Sequence, residues 1–465
     1  MDSKWRMQVT SRGIWVAFML CACSPVERTL NVVQAKEINL QEYADGVQDA
    51  TQALQAMIDS GAGQVELPPG SFRLSKSLEM NLTEGDCLSI QGGSGSRLIM
   101  EAAGPALRVV GSHFKSAAPS GFEEQVWLKE RMPSLVGFAI EGKHPESDGI
   151  AAVGTMQLTL TELHVRSLRH GIHLLENNRN VLIDACHIYE NRGVGIFYDQ
   201  VNLHQSNIVG CHISYCDQGG IVSRGGNVRN VHISGCDIES NMSESTLPTA
   251  NIFIDCRGSQ YGTAEVAITG CTIQHNSDGP DSCNIRILGH SDQAQTSEPA
   301  HEGNVAITGN VLSDVQTNIW LEACRGVTIT GNTLWMGFEH NLLIDNCSHV
   351  VMGSNNFDRN PRYDYGRSNE AKNRLVFRRS RDCTVMGLHV SRVSNEPAVW
   401  LQDCDRFNVS GMTILDCEIG LKLENVTRSL FTACLIRDDR EQPGRSRPVV
   451  IEGGSDNRFD SSFSN

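Results

Sequence analysis

Aromatic residues make up only 6% of this 465-residue chain, and 39 Lys and Arg face 54 Asp and Glu. So few rings argue against a thick core, and suit thin layers filled by Ile, Val, Leu and Cys. The deficit of cations, a formal net charge of −15, excludes a general affinity for nucleic acid or other polyanions, so any anionic ligand needs a local basic patch. The apolar run from Ile14 to Leu20 is too short to cross a bilayer. No Cys pair has zinc-site spacing, and no helical period links the apolar segments.

What the chain has instead is glycine, 43 residues of it, and a repeat. Val181-Leu-Ile-Asp-Ala-Cys186, Val231-His-Ile-Ser-Gly-Cys236, Val266-Ala-Ile-Thr-Gly-Cys271, Val305-Ala-Ile-Thr-Gly-Asn310 and Val327-Thr-Ile-Thr-Gly-Asn332 share one six-residue frame. Branched apolar residues alternate with small polar ones, the pattern of a strand with one buried face. The frame extends to anchors at Phe138, Leu163, Cys186, Cys211, Cys236, Cys271, Asn310, Asn332, Asn355, Leu388, Met412 and Cys434. Steps of slightly over twenty residues suit a solenoid coil. A second strand follows in each coil, as in Gly171-Ile-His-Leu-Leu175, Gly195-Ile-Phe-Tyr-Asp199 and Asn318-Ile-Trp-Leu-Glu322, with Gly or Asn at its corner. Two strands per coil predict an all-β fold, a parallel β-helix.

The 16 cysteines would suggest disulfides in an exported chain. Here Cys186, Cys211, Cys236 and Cys271 hold one inward position in successive coils, where a free thiol packs as a small apolar group. Asn310, Asn332 and Asn355 continue that position as a stack of amides.

Lys4, Arg6 and Arg12 followed by Ile14 to Leu20 form an export signal. Leu20-Cys-Ala-Cys23 resembles the bacterial lipobox, which implies lipidation of Cys23; an ordinary cleaved signal is the alternative. Residues 1–23 are thus expected to be a signal peptide of lipoprotein type, 36–130 an N-terminal cap with the first coils, and 131–465 the repeats. In the cap, Asp49 is placed to N-cap a helix running to about Ser60 with Leu54, Met57 and Ile58 on one face.

Asp45-Gly-Val-Gln-Asp49, Thr51, Ala53-Leu-Gln55, Ile58-Asp59, Gln64-Val-Glu-Leu-Pro-Pro-Gly70, Phe72 and Leu74 resemble the opening of pectate-lyase superfamily proteins, which include phage tailspikes and polygalacturonase-like glycosidases. Gln91-Gly-Gly-Ser-Gly95 is similar to the glycine turn that follows there. The resemblance implies a right-handed, pectin-lyase-like β-helix with a capping helix, an exported bacterial protein, and a polysaccharide partner. Arg169-His-Gly-Ile-His173 is similar to the Gly-His-Gly of polygalacturonases, but their other catalytic segments are missing and that site is not carried over. Oligomeric state stays open between a monomer, the default, and the trimers of tailspikes.

Chemistry is sought in the outward columns. Residues one and three beyond each anchor place His164, His187, His212 and Asp237 in one column and Arg166, Tyr189 and Glu239 in the next. Such a patch fits three chemistries. β-Elimination from a uronate needs a base and cations to hold the carboxylate, and C5-epimerisation shares its first step. Hydrolysis needs two carboxyl groups, and backbone rise sets Asp237 and Glu239 roughly 6 to 7 Å apart, overlapping the inverting range. Stacked imidazoles also suit a metal. No cofactor is required by the sequence, although calcium is a candidate. Long connections at 240–250, 275–284, 358–373 and 437–447 leave from one corner and should wall this face. The 358–373 insertion carries Arg359, Arg362, Tyr363, Tyr365 and Arg367, which suit an anionic sugar polymer; a solvated loop with internal ion pairs is the bland reading. A further outward column, His173, Phe197, Val222, Phe253, Arg286, Trp320, Leu343, Val376 and Trp400, is apolar and expected to be covered. The expected function is therefore that of an exported bacterial protein, secreted or a periplasmic or outer-membrane lipoprotein, that binds and cleaves polysaccharide, lyase ahead of hydrolase, against a non-catalytic surface β-helix that binds glycan or a partner or merely spaces.

Overall fold

The computed structural model describes residues 38–84, 88–115, 119–243, 250–291, 300–393, 396–440 and 446–460. The export signal and Cys23 lie outside them. Among the described residues the chain winds into a parallel β-helix. One 15-stranded sheet runs its length, and a 27-stranded sheet forms the remaining sides.

Most coils have three strands where the sequence suggests two, and in two successive coils the second and third run together as Ile172–Asp184 and Ile196–Val209. The frame that ends at Cys186 and the outward residues beyond it belong to different sheets: one strand stops at Asp184 and the next is His187–Tyr189. Between them the residue before the anchor turns the corner in the left-handed region, as Ala185 (φ 50°), Gly210 (57°), Gly235 (60°), Gly270 (63°), Gly309 (68°) and Gly331 (69°) do. This is why the frame ends in Gly before its anchor, for a side chain is disfavoured there. Every anchor is buried nonetheless.

The short strands His164–Arg166, His187–Tyr189, His212–Ser214, Asp237–Glu239 and Thr272–Gln274 stack in register. Their central residues Val165, Ile188, Ile213, Ile238 and Ile273 are fully buried. Each contributes about 1.5–3 kcal/mol relative to exposure and turns both its neighbours outward.

All 13 cysteines in the described residues are free and buried. The amide ladder forms as expected: Asn310 Nδ2 donates to Asn332 Oδ1 (3.0 Å) and Asn332 Nδ2 to Asn355 Oδ1 (2.9 Å). A second ladder at another corner runs Asn241, Asn251, Asn284, Asn318 and Asn341, each Nδ2 donating to the next Oδ1 at 2.7–2.9 Å. Stacked amides satisfy one another and the turn backbone inside the core, where an unpaired one would cost about 1–3 kcal/mol.

The cap helix spans Thr51–Asp59, with Leu54 and Ile58 buried. Its N-cap position is Ala50, not Asp49; Asp49 Oδ1 instead accepts from the Thr51 amide (3.0 Å), and its other oxygen from Ser75 (2.6 Å), tying the helix start to a neighbouring segment. A second short helix, Glu124–Lys129, has no counterpart in the sequence reading.

Candidate active site on the short-strand face

The outward columns assemble as their spacing predicts. His164, His187, His212 and Asp237 are register neighbours, as are Arg166, Tyr189, Ser214 and Glu239. Across these coils the side chains converge. Tyr189 Oη lies 2.7 Å from His212 Nδ1, and His212 Nε2 lies 3.5 Å from Asp237 Oδ2. The rings of His164 and His187 sit 6.0 and 6.1 Å from that of Tyr189. Arg166 pairs with Glu190 at 2.9 Å, a half-exposed bridge that ligand can displace at small cost.

One neighbour was invisible in the columns. His275, just beyond Gln274 with φ 54°, brings Nε2 to 3.8 Å from Glu239 Oε1. It stands at a corner, outside any strand, so alternation gave no reason to turn it toward the patch. Its position directly after a column residue was the available signal.

One ligand atom each from His212, Asp237 and Glu239 lie within 4.8 Å of one another. Asp237 leans toward His212. Asp237 Oδ1 is buried without a hydrogen-bond partner.

Electrostatics separates the roles. Burial, and then the charge of Arg166, holds the His164 imidazolium below its ordinary range, keeping the ring neutral and basic at neutral pH. Burial, reinforced by Asp237, raises the Tyr189 phenol, so it retains its proton and can donate it.

The 358–373 insertion folds back over this face. Arg367 Nη1 reaches Asp278 of the 275–284 connection at 2.6 Å and also pairs with Glu370 at 2.9 Å. Arg359 bonds Asp364 and the Ser368 carbonyl. These two arginines therefore hold the loop, leaving Arg362, Tyr363 and Tyr365 exposed. Tyr363 packs on Trp335 (5.3 Å) and on Tyr365 (6.4 Å). Trp335 stands three residues beyond the anchor Asn332, in the column of Tyr189 and Glu239. The wall thus presents an aromatic group farther along the same face.

The apolar column is in register from His173 to Trp400. Phe197, Val222 and Phe253 are buried with Val194, Ala250, Cys283 and Leu288. Arg286 lies 3.9 Å above the Trp320 ring. Most of this column is covered, while His173, Trp320 and Trp400 are partly exposed.

Residues 140–259 match the family described as right-handed beta helix region, and residues 261–460 the family described as periplasmic copper-binding protein (NosD). The protein is a right-handed parallel β-helix of the pectin-lyase-like fold. Among solved structures it is similar to the pre-mature gene product 12 of bacteriophage phi29 (TM-score 0.51, 15% identity, 87% of this chain and 54% of that one). It is also similar to the Dettilon tailspike protein gp208 (0.50, 14%, 87% and 68%) and the A-module of Azotobacter vinelandii mannuronan C-5 epimerase AlgE4 (0.45, 14%, 91% and 100%). At such identities the likeness is one of fold. No curated protein sequence matches the chain. The copper of the second family's description finds no fit in the matched segment: among the described residues, the one set of three His, Cys, Asp or Glu groups able to share an ion is His212, Asp237 and Glu239, outside residues 261–460.

Proposed function

We propose that the protein is exported and acts on a uronate-containing polysaccharide along the short-strand face, by proton abstraction leading to β-elimination. The observation that carries this reading is the Tyr189–His212–Asp237 chain of contacts beside the two imidazoles of His164 and His187. The neutral imidazole of His164 takes the C5 proton, with His187 in the next coil beside it, while Arg166 neutralises the adjoining carboxylate. The C5–H electrons form the C4=C5 bond, the C4–O bond breaks, and the leaving oxygen receives the Tyr189 proton. His212, held by Asp237, restores that proton. Trp335, Tyr363 and Tyr365 offer ring faces to neighbouring sugars. Epimerisation shares the abstraction and returns a proton to the opposite face of C5. The periplasmic description of the family matched by residues 261–460 agrees with export.

Purified protein incubated with uronate and sulfated polysaccharides tests this. Elimination yields an unsaturated, ultraviolet-absorbing end, hydrolysis yields reducing ends without absorbance, and epimerisation yields neither but alters the proton spectrum of the polymer. No change in any polymer leaves a non-catalytic glycan binder.

The cluster of His212, Asp237 and Glu239 favours a second reading, a divalent cation on the same face. One imidazole with two carboxylates suits zinc or manganese better than calcium, which prefers oxygen throughout. Titration of dialysed protein with each ion, with Glu239→Gln as control, decides it.

A further inference from the structure

A second concave site lies on another corner of the helix, away from the short-strand face. There the strands Ala250–Asp255, Cys283–Leu288, Val315–Glu322, Gly337–Asp345 and Arg374–Arg378 end in five successive coils. At about 4.8 Å per coil the corner extends about 19 Å along the axis. It holds a cavity of about 640 Å³ whose lining includes Arg257, Arg325, Arg379, Arg381, His290 and His301, with Glu322 as the one carboxylate among the described residues that line it. The volume is that of a small-molecule site. In a chain of net charge −15 such a gathering of cations needs a cause.

The arginines are braced from below. Arg257 bonds Asp255 at 2.8 Å and Arg379 bonds Asp345 at 2.6 Å, and these carboxylates are only 9% and 2% exposed while their arginines are 54% and 60% exposed. The acids thus fix the guanidinium groups, and that of Arg379 keeps its outer N–H donors toward solvent. Arg325 has no carboxylate within salt-bridge distance among the described residues; its guanidinium meets the His349 ring at 3.5 Å. His290 and His301 face each other across an antiparallel pair. Burial, then the positive charges of His290, Arg381 and Arg325, depress the His301 imidazolium. That crowding is relieved by an anion.

We propose that this corner cavity binds an oxyanion group, a carboxylate, sulfate or phosphate, with Arg325 and Arg381 as its principal donors. The forked guanidinium matches all three anions bidentately. The inference is independent of the chemistry assigned to the short-strand face, and neither fails with the other.

Calorimetric titration of the full mature protein with inorganic phosphate, sodium sulfate, a uronate trisaccharide and a neutral trisaccharide tests it. The expected result is saturable binding of at least one anionic probe, none of the neutral one, and about tenfold weaker binding in Arg325→Gln and in Arg381→Ala, as for loss of one charge-assisted contact. Arg108→Ala, in an early coil, should bind as wild type. Arg325 is exposed, so Arg325→Gln should fold normally even where Arg381→Ala does not. A preference for phosphate or sulfate identifies a free inorganic anion; a preference for the trisaccharide identifies a sugar-borne carboxylate. In either case the His301 ring should titrate at higher pH when the probe is bound. Absence of saturable binding at millimolar probe, or binding undiminished in both variants, overturns the proposal.

Discussion

Tyr189 and His212, one coil apart, touch at 2.7 Å between the phenol oxygen and Nδ1, and the other imidazole nitrogen faces Asp237. The contact makes Tyr189 a donor whose proton can be replaced, and it is the contact most specific to the proposed chemistry. Tyr189→Phe removes one hydroxyl and leaves the ring packed between neighbours. Turnover should fall about 10²–10⁴-fold, the usual contribution of a positioned acid or base. The unfolding midpoint should stay close to wild type, because the side chain lies outside the core. A kcat unchanged in Tyr189→Phe would transfer the acid role elsewhere.

The wall makes a different demand on each of its residues. Arg359 and Arg367 are engaged within the protein, whereas Trp335, Tyr363 and Tyr365 present ring surface. Tyr365→Ala should therefore raise KM by about tenfold with little change in kcat, the mark of uniform binding lost. Arg367→Ala should instead loosen the insertion, detectable as faster proteolysis between residues 358 and 373. If Arg367→Ala raised KM and left proteolysis unchanged, this arginine would be reaching the polymer directly.

Free thiols in the core lead to a chemical prediction. Cys211 and Cys236 have their thiols pushed up to about 12, first by neighbouring cysteines of the ladder, and Cys216 to about 11 by burial. At pH 8 the native protein should leave these groups unreacted with a thiol reagent, and denaturant should expose them together. Peptide mapping that recovered Cys186, Cys211, Cys236 and Cys271 as disulfides would contradict the packing.

Much of this was legible because strand alternation and coil spacing are both short-range rules. Once Cys186 and Cys211 were recognised as equivalent, His187 and His212 had to be neighbours, whatever the rest of the fold. The register of the column from His173 to Trp400 follows by the same arithmetic. What escaped lies at corners. The third strand was hidden because Ala185 and Gly210 bend the chain inside a frame that reads as one strand. His275, and the meeting of Arg257 with Arg325 and Arg381 at one cavity, depend on backbone turns and on side-chain direction, which no period encodes. The pairing of Arg367 with Asp278 joins residues 89 apart and is a property of the folded wall alone.

Two partly buried histidines set the acid limit of the fold. His340 is held down to about 4, first by burial and then by the charge of Arg374, and His170 is held down to about 4, first by burial. In the unfolded chain both rings take up a proton near pH 6.5. Between pH 6.5 and about 4 the unfolded state therefore binds more protons than the native one, and stability must rise with pH across that window. Above 6.5 the contribution is complete; as pH falls it is progressively lost, by about 2–3 kcal/mol for each ring at pH 4. The urea midpoint should thus decline steadily from pH 7 to pH 4. In His340→Gln, which keeps a polar side chain but cannot charge, the decline should be shallower by that one ring's share. A midpoint that falls equally in wild type and His340→Gln would place the acid sensitivity in other groups.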